Sequence, residues 1–192
     1  IPISGATGTS LALGQAQVGA VITVSASYTD GFGQAEQVLS LATEAVENIN
    51  DIPLGGVSVS GLPREDETLT VSTDNLTDED GLGEFTYQWL AGGTPILNAT
   101  TARFTLTQDQ VGNRIVARVR YVDGYGTAEQ VDSSVTDTVE NVNDLPTGTV
   151  SIEGTAFVGD TLTVTNNLED EDGLGEVIYT WYADGDNAIT EG

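Results

Sequence analysis

The chain has 192 residues, of which 30 are acidic and five are arginine, with no lysine, histidine, cysteine or methionine, for a net charge of −25. That imbalance excludes nucleic acid and anionic membrane surfaces as partners and suits divalent cations or a screening, salty medium. Without cysteine or histidine there is no disulfide and no thiol or imidazole chemistry, and no run of 18 apolar residues is present to insert into a membrane.

In chain order, the first recognisable segments are YTDGFGQAEQV at 28–38 and VENINDIP at 46–53. Both return 93 positions later, as YVDGYGTAEQV at 121–131 and VENVNDLP at 139–146. Self-similarity at a fixed period marks one structural unit used repeatedly. Residues 1–53 match 94–146 and are expected to supply the C-terminal half of a repeat, its last three strands plus a linker. Residues 54–146 are expected to be one complete repeat, long enough to bury its own core.

Within that repeat, GVSVSG (56–61) alternates as a first strand and ETLTVST (67–73) puts Leu69 and Val71 on one face of a second. The turn DEDGLG (78–83) leads to EFTYQWL (84–90), where Phe85, Tyr87 and Trp89 share a face at period two. ARFTL (102–106) is a short strand, and RIVARVRY (114–121) points Ile115, Ala117, Val119 and Tyr121 inward with Arg114, Arg118 and Arg120 outward. Those arginines are expected to pair with acids of the next strand, such as Glu129 and Asp132. After the turn VDGYG (122–126) comes a last strand over about 128–140, with Val131, Val135 and Val139 four apart. No window sustains a 3.6-residue apolar period, so helix should be nearly absent.

Residues 147–192 match the first half of the repeat, and DEDGLGEFTYQW (78–89) recurs there as DEDGLGEVIYTW (170–181). Trp181 and Tyr179 are expected to take the core places of Trp89 and Tyr87. Neither half can bury its apolar face alone, so the C-terminal half of one copy is expected to complete the N-terminal half of another. The missing methionine, even at position 1, is expected of an internal or processed segment.

Seven or so short strands per unit, with an inward tryptophan on the third, predict an all-β fold of tandem antiparallel immunoglobulin-like β-sandwich repeats. In that topology the linker preceding a unit and its 78–83 and 122–126 turns meet at one end. The expected ligand groups there are Glu47, Asn50 and Asp51 of the linker with Asp78, Asp80 and Asp123. At the following joint they are Glu140, Asn143 and Asp144 with Asp170 and Asp172. Carboxylates converging on one volume repel unless a hard cation sits among them, and Ca²⁺ accepts six to eight such oxygens. Exposed acidic turns alone would also read this way, because Asp and Gly are the commonest turn residues.

The NDxP linkers, the YxDGxGxAE turns and the DGLGxxxYxW strand resemble the tandem immunoglobulin-like or cadherin-like repeats of giant bacterial surface adhesins, including the RTX type. The linker is also similar to the cadherin pattern D-x-N-D-N-x-P, with Glu140 in the first acidic place and Asn143 and Asp144 before Leu145-Pro146; it departs at Val142. The resemblance implies an extracellular, cell-surface stalk with one or two Ca²⁺ ions stiffening each joint, and a tip ligand bound outside this segment. Its partners would be neighbouring repeats of the same polypeptide, or identical copies end to end. Two other readings of the residues stay open: a subunit of an extracellular filament or surface layer, and a carbohydrate-binding module using Phe32, Tyr125, Phe157 and Tyr182. Catalysis is not expected, since the acids sit in turns that recur in every unit.

Overall fold

The structure, a computed structural model, describes residues 1–183 together with Asn187–Ala188. The fold is all-β, and every strand pairing is antiparallel. Among the described residues the helical content is two 3-10 turns, Gln15–Gln17 and Gln108–Gln110. The N-terminal region contributes a two-stranded sheet of β1 (Ser25–Thr29) and β2 (Ala35–Leu39). The middle region holds β3 (Ser58–Ser60), β4 (Thr68–Ser72), β5 (Thr86–Ala91), β6 (Thr94–Pro95), β7 (Arg103–Thr105), β8 (Ile115–Val122) and β9 (Ala128–Asp132). The C-terminal region pairs β10 (Val150–Glu153) with β11 (Thr163–Asn166), and β12 (Tyr182–Ala183) with β13 (Asn187–Ala188).

The middle region forms two sheets, β3-β4-β7 and β6-β5-β8-β9, that share one core. Period-two alternation decides which side chains enter it. Leu69 and Val71 of β4 are buried, as are Trp89 of β5 and Ile115, Ala117, Val119 and Tyr121 of β8. The β5–β8 register sets Trp89 opposite Ala117, so the large indole lies beside a small side chain. Trp89 tilts against Phe104 at 5.8 Å between ring centroids, and its Nε1–H donates to the Thr101 carbonyl (2.9 Å). Phe85 meets Tyr121 edge-on at 5.6 Å. Full burial of one such aromatic contributes about 1.5–3 kcal/mol through area removed from water.

The last strand departs from expectation. It runs only over Ala128–Asp132, because Ser133 and Thr136 turn their hydroxyls into the ladder. Ala117 N–H donates to Ser133 Oγ and Ile115 N–H to Thr136 Oγ1, both at 3.0 Å. The Ser133 and Thr136 N–H groups still reach the Ala117 and Ile115 carbonyls at 2.8 and 3.0 Å. Side-chain oxygens competing with carbonyls in this way bend the chain out of register, and Val135 is exposed while Val139 is buried. The N-terminal region repeats the device, with Val24 N–H on Ser40 Oγ and Ile22 N–H on Thr43 Oγ1, both at 3.0 Å.

The arginine expectation divides. Arg118 grips Asp132 through Nε and a terminal nitrogen, both at 2.8 Å, and Arg120 reaches Gln130 at 2.9 Å. The Asp132 hydrogen bond raises the Arg118 pKa further, and the same bond lowers that of Asp132. Glu129 is not an arginine partner, since it accepts from Asn50 Nδ2 of the linker (2.9 Å). Trp181 and Tyr179 are exposed where Trp89 is buried, as expected of a half-repeat that cannot bury its own face: among the described residues no strand lies against them as β8 lies against Trp89.

Candidate metal centre at the repeat junctions

At the first junction the linker 47–53 meets the turns before β5 and after β8. Asp80 carries the joint, because its two oxygens hold two different parts of the preceding chain. Oδ2 accepts from the Asp51 N–H (2.7 Å), and Oδ1 accepts from Gln15 Nε2 (2.8 Å). Asp78 shapes the turn below: its Oδ1 takes the Asp80 N–H (2.9 Å) and its Oδ2 takes the Tyr121 hydroxyl (2.5 Å). Burial, followed by that bond to Asp78, pushes the Tyr121 hydroxyl far above the ordinary phenol range, so it remains a donor.

The two turns touch backbone to backbone, with Gly124 N–H on the Asp80 carbonyl at 3.0 Å. A Cβ at Gly124 would stand 2.6 Å from that carbonyl, and one at Gly83 would stand 2.0 Å from the Val122 carbonyl. Only glycine admits this approach. Asp123 closes its own turn, its Oδ1 accepting the Tyr125 and Thr127 N–H groups, each at 2.8 Å. Burial acts to raise its pKa, but the backbone donors of Thr127, Tyr125 and Gly126 outweigh it and hold the carboxyl below its ordinary value. Its Oδ2 is buried and meets no donor among the described residues, and the same is true of Asn48 Oδ1 in the linker.

The second junction repeats the latch. Asp172 Oδ2 accepts the Asp144 N–H (2.8 Å), Oδ1 accepts Asn141 Nδ2 (2.6 Å), and Asp170 Oδ1 takes the Asp172 N–H (3.0 Å). It then adds a grip from the unit before it. Glu65 N–H donates to the Glu140 carbonyl and Glu140 N–H to the Pro63 carbonyl, both at 2.9 Å, while the buried Glu65 carboxylate takes the Val142 N–H through Oε2 (3.1 Å).

Here Glu65, Asp144 and Glu171 bring carboxylate oxygens within 4.8 Å of one another, a donor set that suits a metal ion. Glu65 is buried, Asp144 half-buried and Glu171 exposed. Like charges at that spacing repel, and a divalent cation among them reverses the sign of the interaction. All the donors are hard oxygens, the chemistry of Ca²⁺ or Mg²⁺ rather than of a soft metal.

Of the predicted ligand residues, hydrogen bonds join Asp51, Asp80 and Asp78 at the first junction, while Asp123 bonds within its own turn, which meets Asp80 through the Gly124 N–H. Asp144, Asp170 and Asp172 meet at the second. Glu47 and Glu140 are exposed, and Asn50 and Asn143 use their amides on the Asp51 and Asp144 carbonyls (3.2 and 2.8 Å). Asp80 and Asp172 act as latches whose oxygens are taken by protein donors. Glu65 was not anticipated; Glu171 was expected at this junction beside Asp170 and Asp172 but not among the ligands. Glu171 recurs as the counterpart of Glu79 and was readable, but the counterpart of Glu65 is Val158, so the repeat carries no trace of it. Among the described residues, no helix is long and apolar enough to cross a membrane. Comparison with protein-family models, with curated proteins and with solved structures finds no match to this chain.

Proposed function

We propose that this chain is a non-catalytic structural segment of an extracellular stalk, built of immunoglobulin-like sandwich units whose junctions are stiffened by Ca²⁺. One observation carries the reading. Glu65, Asp144 and Glu171 come from three places that must be held in fixed relation: the β3–β4 turn of one unit, the linker, and the turn before the third strand of the next. A cation bound by all three fixes the angle between units, so its binding energy opposes bending. The orphaned acceptors Asp123 Oδ2 and Asn48 Oδ1 support a comparable role for the first junction. The resemblance to bacterial surface adhesins supplies the setting, in which sites with a Kd of about 10⁻⁴–10⁻³ M fill outside the cell and stay empty inside.

Thermal melts and small-angle scattering of the chain in millimolar CaCl₂ and in EGTA test this. Ca²⁺ should raise the melting temperature and increase the maximum dimension as the joints straighten. Superimposable curves would sink the cation mechanism.

A further inference from the structure

The two junctions hold the same aspartate oxygen with different amides. Asp80 Oδ1 accepts from Gln15 Nε2 (2.8 Å), whereas Asp172 Oδ1 accepts from Asn141 Nδ2 (2.6 Å). Both donors nevertheless exist at both junctions. Gln108 is the counterpart of Gln15 and Asn141 the counterpart of Asn48, each 93 positions on. The amide that is not in use leaves a mark in each case. Asn48 Oδ1 at the first junction and Gln108 Oε1 at the second are buried and meet no donor among the described residues. In each joint, then, an orphaned acceptor belongs to the amide that does not hold the aspartate.

The backbone around the donors is alike at both joints, so it does not dictate which amide engages. Gln15 and Gln108 each open a 3-10 turn, closed by the Gln17 and Gln110 N–H groups on carbonyls three residues back, at 2.9 Å each. Gln17 Oε1 and Gln110 Oε1 take the N–H at the head of the turn, at 3.1 and 3.0 Å. Each turn is tied to the chain entering its linker in the same way, with Gly19 N–H on the Val46 carbonyl (2.8 Å) and Gly112 N–H on the Val139 carbonyl (3.0 Å). Across the joint, the Asp51 and Asp144 N–H groups occupy the other aspartate oxygen at 2.7 and 2.8 Å. What differs is the side chain that completes the contact.

We infer that this aspartate oxygen is a two-position acceptor. It takes either the glutamine amide of the preceding unit or the asparagine amide of the linker, and the two junctions display one position each. Exchange replaces one amide–carboxylate hydrogen bond by another of the same kind, so the two positions lie close in free energy and both are populated. Their mechanical result differs. In the glutamine position, the 3-10 turn of the preceding unit is bonded directly to the turn of the next. In the asparagine position that direct tie is absent, and the linker alone holds the aspartate through an amide and a backbone N–H. The joint can therefore release one unit from the next without letting go of the linker. Neither Glu65 nor Glu171 takes part in the exchange, so it stands apart from the cation reading and is tested in EGTA.

NMR of the 192-residue chain in EGTA tests the exchange through the side-chain amides. Gln15→Ala should bring Asn48 Nδ2 onto Asp80 and slow hydrogen exchange of that amide about tenfold. Asn141→Ala should do the same for Gln108 Nε2 on Asp172. Exchange of the Asp51 backbone N–H reports opening of the first joint. Gln15→Ala and Asn48→Ala should each speed it by less than about twofold, because the remaining amide takes over, and the double variant by about tenfold. All these substitutions remove polar side chains that are exposed or half-buried, and an unchanged backbone spectrum of the middle unit confirms that it still folds. A fixed latch gives another pattern: the idle amide responds in neither variant, and Gln15→Ala alone opens the Asp51 N–H as far as the double variant does. That result overturns the proposal.

Discussion

The two junctions are written in nearly the same letters and built differently. At the first, the carboxylates of Asp78 and Asp80 are taken up by Tyr121, Gln15 and backbone N–H groups, and the acceptors left without a donor are Asp123 Oδ2 and Asn48 Oδ1. At the second, Asp172 holds the linker N–H in the same way, with Asn141 on its other oxygen in place of a glutamine, and Glu65 of the preceding unit joins Asp144 and Glu171 in an acidic trio. The motif DEDGLG therefore encodes a latch between a linker N–H and a turn aspartate. Whether a cation site forms as well depends on a residue outside the motif.

Substitutions that separate the latch from the ion site sharpen this contrast. Asp80→Ala should have the largest effect, costing about 2–3 kcal/mol in chemical denaturation, because it strands the Asp51 N–H and Gln15 at a buried position. Asp172→Ala, at an exposed latch, should cost about 1 kcal/mol or less. In calorimetric titration with Ca²⁺, Glu65→Gln should weaken binding at least tenfold, about 1.4 kcal/mol, whereas Asp51→Asn should leave that site intact. Equal losses from both would erase the distinction between the junctions. Tyr121→Phe removes one donor from Asp78 and should lower stability by about 1 kcal/mol, measured by urea denaturation.

The smallest effect concerns acid. Asp123 and Asp132 have folded pKa values below their unfolded ones, so their stabilisation is present above the unfolded value of about 3.9 and is lost as pH falls through the folded pKa. Melting temperatures should be level near neutrality and fall on the acid side. Asp123→Asn should flatten part of that acid limb, and an unaltered profile would remove Asp123 from it.

How much of this could be read beforehand follows from periodicity. Alternation in 114–121 identified Ile115, Ala117, Val119 and Tyr121 as inward because a strand has only two faces. The length of the last strand was not legible: it stops at Asp132 rather than near 140, because the hydroxyls of Ser133 and Thr136 displace the ladder, an event that hydrophobic pattern does not encode. Repetition located the latch aspartates, since every copy needs them. It was blind to Glu65, whose place in the next unit is taken by Val158. Trp181 shows the opposite lesson: a closely similar local sequence leaves a tryptophan partly exposed where, among the described residues, no strand lies against it as β8 lies against Trp89.

The hydroxyl-bridged break after Asp132 has a consequence for chains of look-alike units. Strand β9 ends its sheet, and a long regular edge there would offer unpaired N–H and C=O groups to any neighbour of similar sequence. Ser133 and Thr136, like Ser40 and Thr43 before them, turn the strand aside after five residues and keep its outer edge too short to template another. A neighbour of similar sequence finds no long regular edge to pair with there, so sideways strand addition is disfavoured at both sites.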